Sequence, residues 1–219
     1  METIKEHIPA KLYEILSAEI KELRPAQKKA VKAGLLDGKN VLVCTPTASG
    51  KTLIAELASL KAVLEKKKKA IYIVPLKALA SEKYREFKRK YDKVAKVALS
   101  IGNMDSADPY LADYDIIITT SEKLDSLMRH HTPWLLNVGV VVIDEIHLLN
   151  DPGRGPTLEI IITLLRKVIK DVQIVGLSAT IGNPEELAEW LEAKLVEDTW
   201  RPVLLKKGVY LNGKLEFIE

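Results

Sequence analysis

The sequence contains one cysteine, few aromatic residues and no long apolar run. The lone Cys44 excludes an internal disulfide framework and a Cys-rich zinc site, and it fits a reducing compartment. No apolar run approaches the ~18 residues of a membrane helix, and the N-terminal METIKEHIPAKLYEIL lacks a signal-peptide apolar region. We therefore expect a cytoplasmic protein with no membrane partner. The net charge of +3 is too small to indicate a polyanionic partner by itself.

The 219 residues show a regular alternation of apolar runs and helical segments. The apolar runs are mostly continuous rather than alternating, as expected for strands covered on both faces of a parallel sheet. They are NVLVC at 40–44, AIYIV at 70–74, KVALS at 96–100, DIIIT at 115–119, GVVVID at 139–144 and VQIVGLS at 172–178. Segments of helical period lie at 52–65, 77–90, 121–129, 157–170 and 184–191. The pattern predicts a doubly wound α/β domain that binds ligands at the carboxyl ends of its strands.

Two further elements flank this alternation. The stretch RPAQKKAVKAGLLDGKN at 24–40 predicts a helix with Pro25 in its first turn. At the other end, residues 200–219 predict a short strand and then a hairpin around Asn212-Gly213. We therefore divide the chain into a domain at 1–205 and a C-terminal hairpin or linker at 206–219.

The stretch LVCTPTASGKTLIAE at 42–56 combines a strand, a loop and the start of a helix. It contains Gly50-Lys51-Thr52, the usual end of a phosphate-binding loop, although the usual pattern has glycine where this sequence has Thr45. Backbone N–H groups at a helix start point at phosphate oxygens. We expect Lys51 on the β and γ phosphates, Thr52 on Mg²⁺, and further loop contacts from Thr47, Ala48, Ser49 and Gly50. For the tripeptide alone, an ordinary turn is an equal alternative.

An acidic pair follows the apolar residues at 140–143. Asp144 and Glu145 stand at the expected end of a strand, and we expect that strand to neighbour the one that carries the phosphate loop. Asp144 can anchor a Mg²⁺ bound to the phosphates, and Glu145 can orient or deprotonate the attacking water. Together with the phosphate loop, the pair predicts a site for ATP, or a close relative of ATP, and magnesium.

A series of motifs in a fixed order resembles a known family. DEIH at 144–147 resembles the DExH box of superfamily 2 helicases. Stretches similar to other motifs of that family are LRPAQ (the Q motif), PLKALASEKY (motif Ia), TTSEKLDSL (motif Ib) and SAT (motif III). PTASGKT, DEIHLL, RGPTLE and GLSATIGNPEELAEWL are similar to the Ski-two-like group, and within it to the archaeal Hel/Hjm DNA-repair helicases. The resemblance implies the first RecA-like domain of an ATP-driven DNA helicase that moves 3′ to 5′ and unwinds forked or stalled DNA.

The resemblance also assigns roles around the nucleotide. The phosphate-loop lysine and the acidic pair keep the catalytic roles given above. Gln27 of the Q motif would read both edges of adenine, because its amide is both donor and acceptor. His147 would join the catalytic set by coupling the nucleotide site to motif III, where Ser178 and Thr180 could hydrogen-bond it.

Contacts to nucleic acid would come, by resemblance, from loops at the same edge of the sheet. The residues concerned are Pro75, Leu76, Lys77, Thr120, Ser121, Glu122 and Arg154. Backbone N–H groups and hydroxyls there would hold phosphates without reading sequence. For each side chain taken alone, ordinary helix capping is the alternative.

The sequence departs from the family pattern in one loop and lacks several motifs. SIGNMDS at 100–106 resembles a loop usually written with Thr-Gly-Asp, so Ile101 and Asn103 replace the usual residues. Motifs IV to VI with their arginine finger, the strand-separating hairpin and the ratchet domain are not in these 219 residues. Because an arginine finger contributes about 10³ to 10⁵ in turnover, we expect this chain alone to bind ATP weakly and to hydrolyse it poorly.

Three functions stay open at this point. The first is a DNA helicase motor domain, monomeric and nucleoid-associated, that acts on single-stranded and forked DNA with replication or recombination proteins. The second is a Ski-two-like RNA helicase, because phosphate contacts do not distinguish a 2′-hydroxyl from a hydrogen. The third is a noncatalytic ATP-gated binding module or a P-loop ATPase that acts on proteins.

Overall fold

A parallel sheet forms the centre of the protein. A computed structural model describes residues 1–102, 106–203 and 206–218. The strands of the sheet are β1 (Val41–Cys44), β2 (Lys69–Val74), β3 (Val97–Ser100), β4 (Ile116–Thr120), β5 (Val138–Ile143), β6 (Gln173–Ser178) and β7 (Lys194–Glu197). They stand in the order β3-β4-β2-β5-β6-β1-β7, and every neighbouring pair is parallel. The doubly wound α/β fold predicted from the apolar runs is confirmed.

Helices cover both faces of this sheet. They are α1 (Ala10–Glu19), α2 (Pro25–Lys32), α3 (Lys51–Leu64), α4 (Lys77–Tyr91), α5 (Ser121–Arg129), α6 (Gly155–Val168) and α7 (Pro184–Trp190). Helix α6 begins at Gly155 rather than at 157, because proline at 156 is favoured in a first turn. Glycine is required at 155, since a Cβ there would lie 2.1 Å from the carbonyl oxygen of Leu149. None of the helices in the described residues is long and apolar enough to cross a membrane.

Two apolar cores, one on each face, explain why the strands are continuously apolar. Alternate residues of a strand point to opposite faces. In β1, Val41 and Val43 belong to one core, while Leu42 and Cys44 belong to the other. Helices α1 to α4 contribute to the first core, and α5 to α7 contribute to the second. Cys44 is buried and free, so core packing accounts for its apolar setting.

The sequence patterns miss the elements at the beginning of the chain and at one edge of the sheet. A 3₁₀ helix at Glu2–His7 and helix α1 precede the predicted helix at 24–40. Strand β7 extends the sheet beyond β1, with Val196 opposite Val43. Only Val196 of this strand is buried, so its sequence KLVE contains no apolar run that would predict a strand.

The C-terminal hairpin is confirmed, but the short strand ahead of it is not. Strands β8 (Lys207–Leu211) and β9 (Lys214–Ile218) pair antiparallel around a two-residue turn. Asn212 and Gly213 both have positive φ, 48° and 81°, as the tight hairpin turn requires. No strand is present at 200–203, where Pro202 removes a backbone donor, and residues 204 and 205 lie outside the described residues.

Candidate nucleotide-binding site

Three strand ends bring the phosphate loop, the acidic pair and the SAT stretch to one edge of the sheet. Cys44 pairs with Ser178, and Ile143 pairs with Gly176, so the segments after β1, β6 and β5 leave the sheet together. The prediction that the acidic pair and the phosphate loop follow neighbouring strands is wrong. The chain returns through α6 and places β6 between β5 and β1. Motif III therefore lies between the two catalytic segments.

The loop at 45–50 is held in shape by its own side chains. The hydroxyls of Thr45 and Ser49 are 2.7 Å apart, and both residues are buried. Ala48 and Gly50 have positive φ, 63° and 93°, so the chain turns sharply before α3 begins. Thr47 and Ala48 are exposed at the tip of the loop. Thr45 thus takes the place of the usual glycine because its hydroxyl braces the loop from inside.

Lys51 lies at the base of this loop, between carbonyls and carboxylates. Its ammonium donates hydrogen bonds to the carbonyls of Thr45 (2.8 Å) and Pro46 (3.2 Å). Burial lowers the pKa of Lys51, and the negative charges of Glu145 and Asp144 oppose that shift. The lysine therefore stands within the electrostatic reach of the acidic pair, as a phosphate-binding cation beside a metal site should.

Gln27 joins helix α2 to the phosphate loop. Its side-chain N–H donates to the carbonyl of Gly50 (2.9 Å), and its amide oxygen accepts from the backbone N–H of Arg24 (2.8 Å). Arg24 in turn donates to the carbonyl of Ala48 (2.6 Å) and lies over the ring of Trp200. Gln27 is 3% exposed and lines an open cavity, and its contact with adenine stays a prediction.

The acidic pair is oriented by hydrogen bonds from the neighbouring strand. The buried hydroxyl of Tyr72 donates to one oxygen of Asp144 (3.0 Å), and the backbone N–H of Glu145 donates to the other (3.1 Å). Burial, and then the Asp144 charge, raise the pKa of Tyr72 well above its usual value, so this hydroxyl keeps its proton. Nδ1 of His147 lies 3.3 Å from a carboxylate oxygen of Glu145.

Of the two residues predicted to link His147 to motif III, only Ser178 lies close to the imidazole. Nδ1 of His147 also lies 3.4 Å from the hydroxyl of Ser178. Thr180 is exposed and makes no hydrogen bond to His147 in the described structure. The coupling role of this set stays a prediction, and Ser178 is its structural basis.

The residues at this edge fit a magnesium ion held with a nucleotide. Thr52 and Asp144 offer a hydroxyl and a carboxylate, the hard oxygen ligands that Mg²⁺ takes. Among the described residues no group of three His, Cys, Asp or Glu side chains could hold a metal. Phosphate and water oxygens would therefore complete the coordination, as is usual for Mg²⁺ bound with a nucleotide.

The residues predicted to contact nucleic acid also lie at this edge, but the two hydroxyl side chains among them are buried. Val74 pairs with Thr120, so the segments after β2 and β4 emerge side by side. Leu76 is 45% exposed and Lys77 is exposed, whereas Thr120 and Ser121 are buried. Glu122 is exposed, and Pro75, Ser121 and Arg154 line one small cavity together with the acidic pair. The loop role of Asn103 falls on a residue outside the described ranges.

Sequence reasoning misses several polar residues that hold these segments. Lys123 of α5 is buried and pairs with Asp108 (3.0 Å), which fixes the chain after 106 against motif Ib. Lys83 of α4 donates to the hydroxyl of Thr52 (3.0 Å). Tyr72 lies inside a strand, where its alternation with apolar residues marks only the core. A lysine in an amphipathic helix carries no signal that distinguishes a buried contact from a solvated one.

Comparison with known proteins decides the family. A family model described as DEAD/DEAH box helicase matches residues 24–187. The chain belongs to the DEAD/DEAH box helicases. The stretch matched by this helicase model runs from Arg24 through the phosphate loop, the acidic pair and SAT to Leu187.

Individual helicases resemble this domain along most of its length. The chain is 58% identical over 206 residues to the ATP-dependent DNA helicase Hel308 of Methanococcus vannielii, covering 91% of this chain and 27% of that protein. It is 59% identical over 216 residues to Hel308 of Methanocaldococcus jannaschii, and the match covers 95% of this chain and 18% of that protein. A crystal structure of the DUF1998 helicase MrfA bound to DNA superposes with a TM-score of 0.75 at 29% identity, covering 89% of this chain and 30% of that one. The chain spans about a quarter of these relatives, and the resemblance to the Hel/Hjm helicases is confirmed.

Proposed function

We propose that this chain is the ATP-binding motor domain of an ATP-dependent DNA helicase that moves 3′ to 5′ and unwinds forked or stalled DNA. The observation that carries the proposal is the convergence of the phosphate loop, the acidic pair and SAT at the carboxyl edge of β1, β5 and β6. The names of the Hel308 relatives support DNA as the nucleic acid. A protein of this kind would act in the cytoplasm on chromosomal DNA.

Each catalytic side chain has a role that its position supports. Lys51 would exchange its carbonyl partners for the β and γ phosphates. Thr52 and Asp144 would hold Mg²⁺, which supplies charge neutralisation for the phosphates when bound. Glu145 would orient or deprotonate the attacking water, and its backbone is left-handed (φ 53°), just after the end of β5. His147 would report the state of Glu145 to Ser178 across a distance of 3.4 Å.

The division of the chain follows from the same proposal. Residues 1–205 would be the first RecA-like domain, and residues 206–219 would lead toward a second RecA-like half. That half would supply the arginine that stabilises the charge of the transferred phosphoryl group, an effect of about 10³ to 10⁵ in turnover. Single-stranded DNA would lie along the segments after β2 and β4 and near Arg154, and contact would be made mainly to its phosphates.

Unwinding by a longer form of the protein tests the proposal. A form extended to include a second RecA-like half should hydrolyse ATP faster with single-stranded DNA and should separate a forked DNA with a 3′ single-stranded arm. The Glu145→Gln variant of that form is the matched control, because it should bind ATP but not hydrolyse it. Preferential unwinding of a matched RNA fork would identify an RNA helicase instead. ATP hydrolysis that ignores both nucleic acids would overturn the helicase proposal.

A further inference from the structure

The hydroxyl of Thr52 already has a cationic partner. Lys83 donates to Thr52 Oγ1 at 3.0 Å and to a carboxylate oxygen of Glu86 at 2.9 Å. Thr52 belongs to the first turn of α3, and Lys83 and Glu86 belong to α4, so the contact joins two helices. The Lys83 side chain is only 17% exposed. A half-buried ammonium therefore rests on the oxygen that the nucleotide site assigns to the metal.

This contact and a bound metal oppose each other. A threonine oxygen has two lone pairs, but an ammonium and Mg²⁺ on the same oxygen are close like charges. Such repulsion persists at a partly buried site, and the Lys83 side chain is 17% exposed. Lys83 and the metal therefore cannot both be held at Thr52 without a large electrostatic cost.

Lys83 has a second partner ready, so it can leave Thr52 without becoming an unpaired charge. Glu86 lies three residues further along the same helix, where side chains meet on one face. Glu86 and Thr52 line one open cavity of about 460 Å³, together with Gln27 and Gly50. The ammonium of Lys83 already contacts Glu86 at 2.9 Å, so release of Thr52 requires only the loss of the hydrogen bond to the threonine hydroxyl.

The neighbouring lysine on α4 shows what a fixed pair looks like. Lys90 pairs with Glu56 (3.1 Å) and with Glu19 (3.2 Å). Glu56 is 2% exposed, and burial raises its pKa against the opposing charge of Lys90. Removing Lys90 would leave a buried carboxylate without its cation, which is a structural loss. Thr52 is neutral, so moving Lys83 away from it leaves no buried charge without a partner.

We propose that Lys83 is a positioning residue of the magnesium site, which holds Thr52 when no metal is bound and pairs with Glu86 alone when Mg²⁺ takes the hydroxyl. The inference rests on the proposed function, because that function requires Thr52 to hold magnesium. Lys83 lies in the second turn of α4, whose first residue, Lys77, belongs to motif Ia. The exchange therefore couples metal occupancy to the helix that begins at the expected nucleic-acid surface.

Nucleotide affinity with and without magnesium tests the exchange. A fluorescent ATP analogue is titrated into the 219-residue chain and its Lys83→Met variant, in Mg²⁺ and in EDTA. The ratio of the Kd in EDTA to the Kd in Mg²⁺ should rise about tenfold in the variant, since a cation that competes with the metal is lost. The Lys83→Arg variant, which keeps the charge, should retain most of the original ratio. An unchanged ratio in Lys83→Met, or equal weakening in both conditions, would overturn the proposal.

A second measurement does not depend on nucleotide at all. Urea unfolding of Lys83→Met, Thr52→Val and the double variant forms a cycle that isolates the contact between the two side chains. The destabilisations should be non-additive, because either substitution alone removes the same hydrogen bond. Additive effects would contradict the contact itself. If the cycle shows coupling while the unaltered chain binds no ATP analogue, the proposed function fails and the Lys83–Thr52 contact stands.

Discussion

At one edge of the sheet, the side proposed to bind the nucleotide (the nucleotide side) and the side proposed to contact nucleic acid (the nucleic-acid side) are built differently. On the nucleotide side, hydrogen bonds fix the residues in place: Gln27 donates to the carbonyl of Gly50, the hydroxyls of Thr45 and Ser49 pair, and Tyr72 donates to Asp144. On the nucleic-acid side, the hydroxyl residues at the junction of β4 and α5 are buried, and the exposed surface includes Leu76, Lys77 and Glu122. Binding a triphosphate with its metal requires side chains in fixed positions. Binding a nucleic-acid strand that moves across the protein requires only a row of contacts to its phosphates.

This difference predicts how strongly single substitutions on each side change ligand affinity. Substitutions on the nucleotide side should have large effects on nucleotide affinity, because hydrogen bonds from neighbouring residues hold each side chain in a single conformation. Substitutions on the nucleic-acid side should have small effects, because many weak contacts share the work.

The largest effect is expected from Lys51→Ala. The variant loses the cation for the β and γ phosphates, and affinity for a fluorescent ATP analogue should fall by at least about 100-fold, the equivalent of a strong charge-assisted contact. Lys66→Ala, in the exposed lysine run before β2, is the matched control and should bind as the unaltered chain does. Circular dichroism should show both variants folded. Unchanged titration of Lys51→Ala would refute the site.

A large effect is also expected in the reactivity of Cys44, which lies directly before the phosphate loop. Burial, and then the charge of Glu197, raise the pKa of the thiol from 9.0 to about 11. At pH 8 the thiolate fraction should be about 100-fold below that of the unfolded chain, so alkylation by iodoacetamide should be slower to that degree. The stability gained from the protonated thiol is present below pH 9 and is lost as the pH rises toward 11.

The chain in urea is the reference for this experiment. Cys44 is the one cysteine of the sequence, so the alkylation rate reports a single site. Folded and unfolded rates that agree at pH 8 would show that the strand end beneath the phosphate loop is open to solvent. The nucleotide side would then not be as rigidly built as the comparison holds.

The same contrast decides how much of the molecule is predictable from its sequence. The strands β1 to β6 are visible because burial on both faces makes them continuously apolar. Edge strand β7 is not visible, since only Val196 is buried in it. The positions of Lys51 and the acidic pair follow from motif and topology together. The position of β6 between β5 and β1 does not follow from the sequence. The order of strands depends on how α6 crosses the sheet, and no local sequence pattern records that path.

Polar contacts across the fold are the part that the sequence does not yield. Tyr72 and Lys83 reach the site from a strand and a helix that look like ordinary core and surface elements. Their partners, Asp144 and Thr52, are 72 and 31 residues away in the chain. Such contacts follow from packing, which fixes the distance between elements, and not from spacing within one element.

An intermediate effect is expected from Gln27→Ala. The variant loses the hydrogen bond to Gly50 and leaves the Arg24 N–H without its partner, so nucleotide affinity should fall by roughly tenfold, as for the loss of one or two hydrogen bonds. If Gln27 also reads adenine, the variant should lose the preference for ATP over GTP analogues. An equal loss for both analogues would restrict Gln27 to bracing the loop and would remove it from the base-binding residues.

The smallest effect is expected from Lys77→Ala, on the nucleic-acid side. Lys77 is exposed at the start of α4, so its loss should not change the fold. Affinity for a fluorescent oligothymidine should fall about threefold, and the slope of log K against log salt should become shallower by about 0.7, the value for one phosphate contact on a single strand. Lys66→Ala again serves as the control for a lysine elsewhere. A loss comparable to that of Lys51→Ala on ATP would mean that one side chain dominates this surface, and the two sides of the sheet edge would then be built alike.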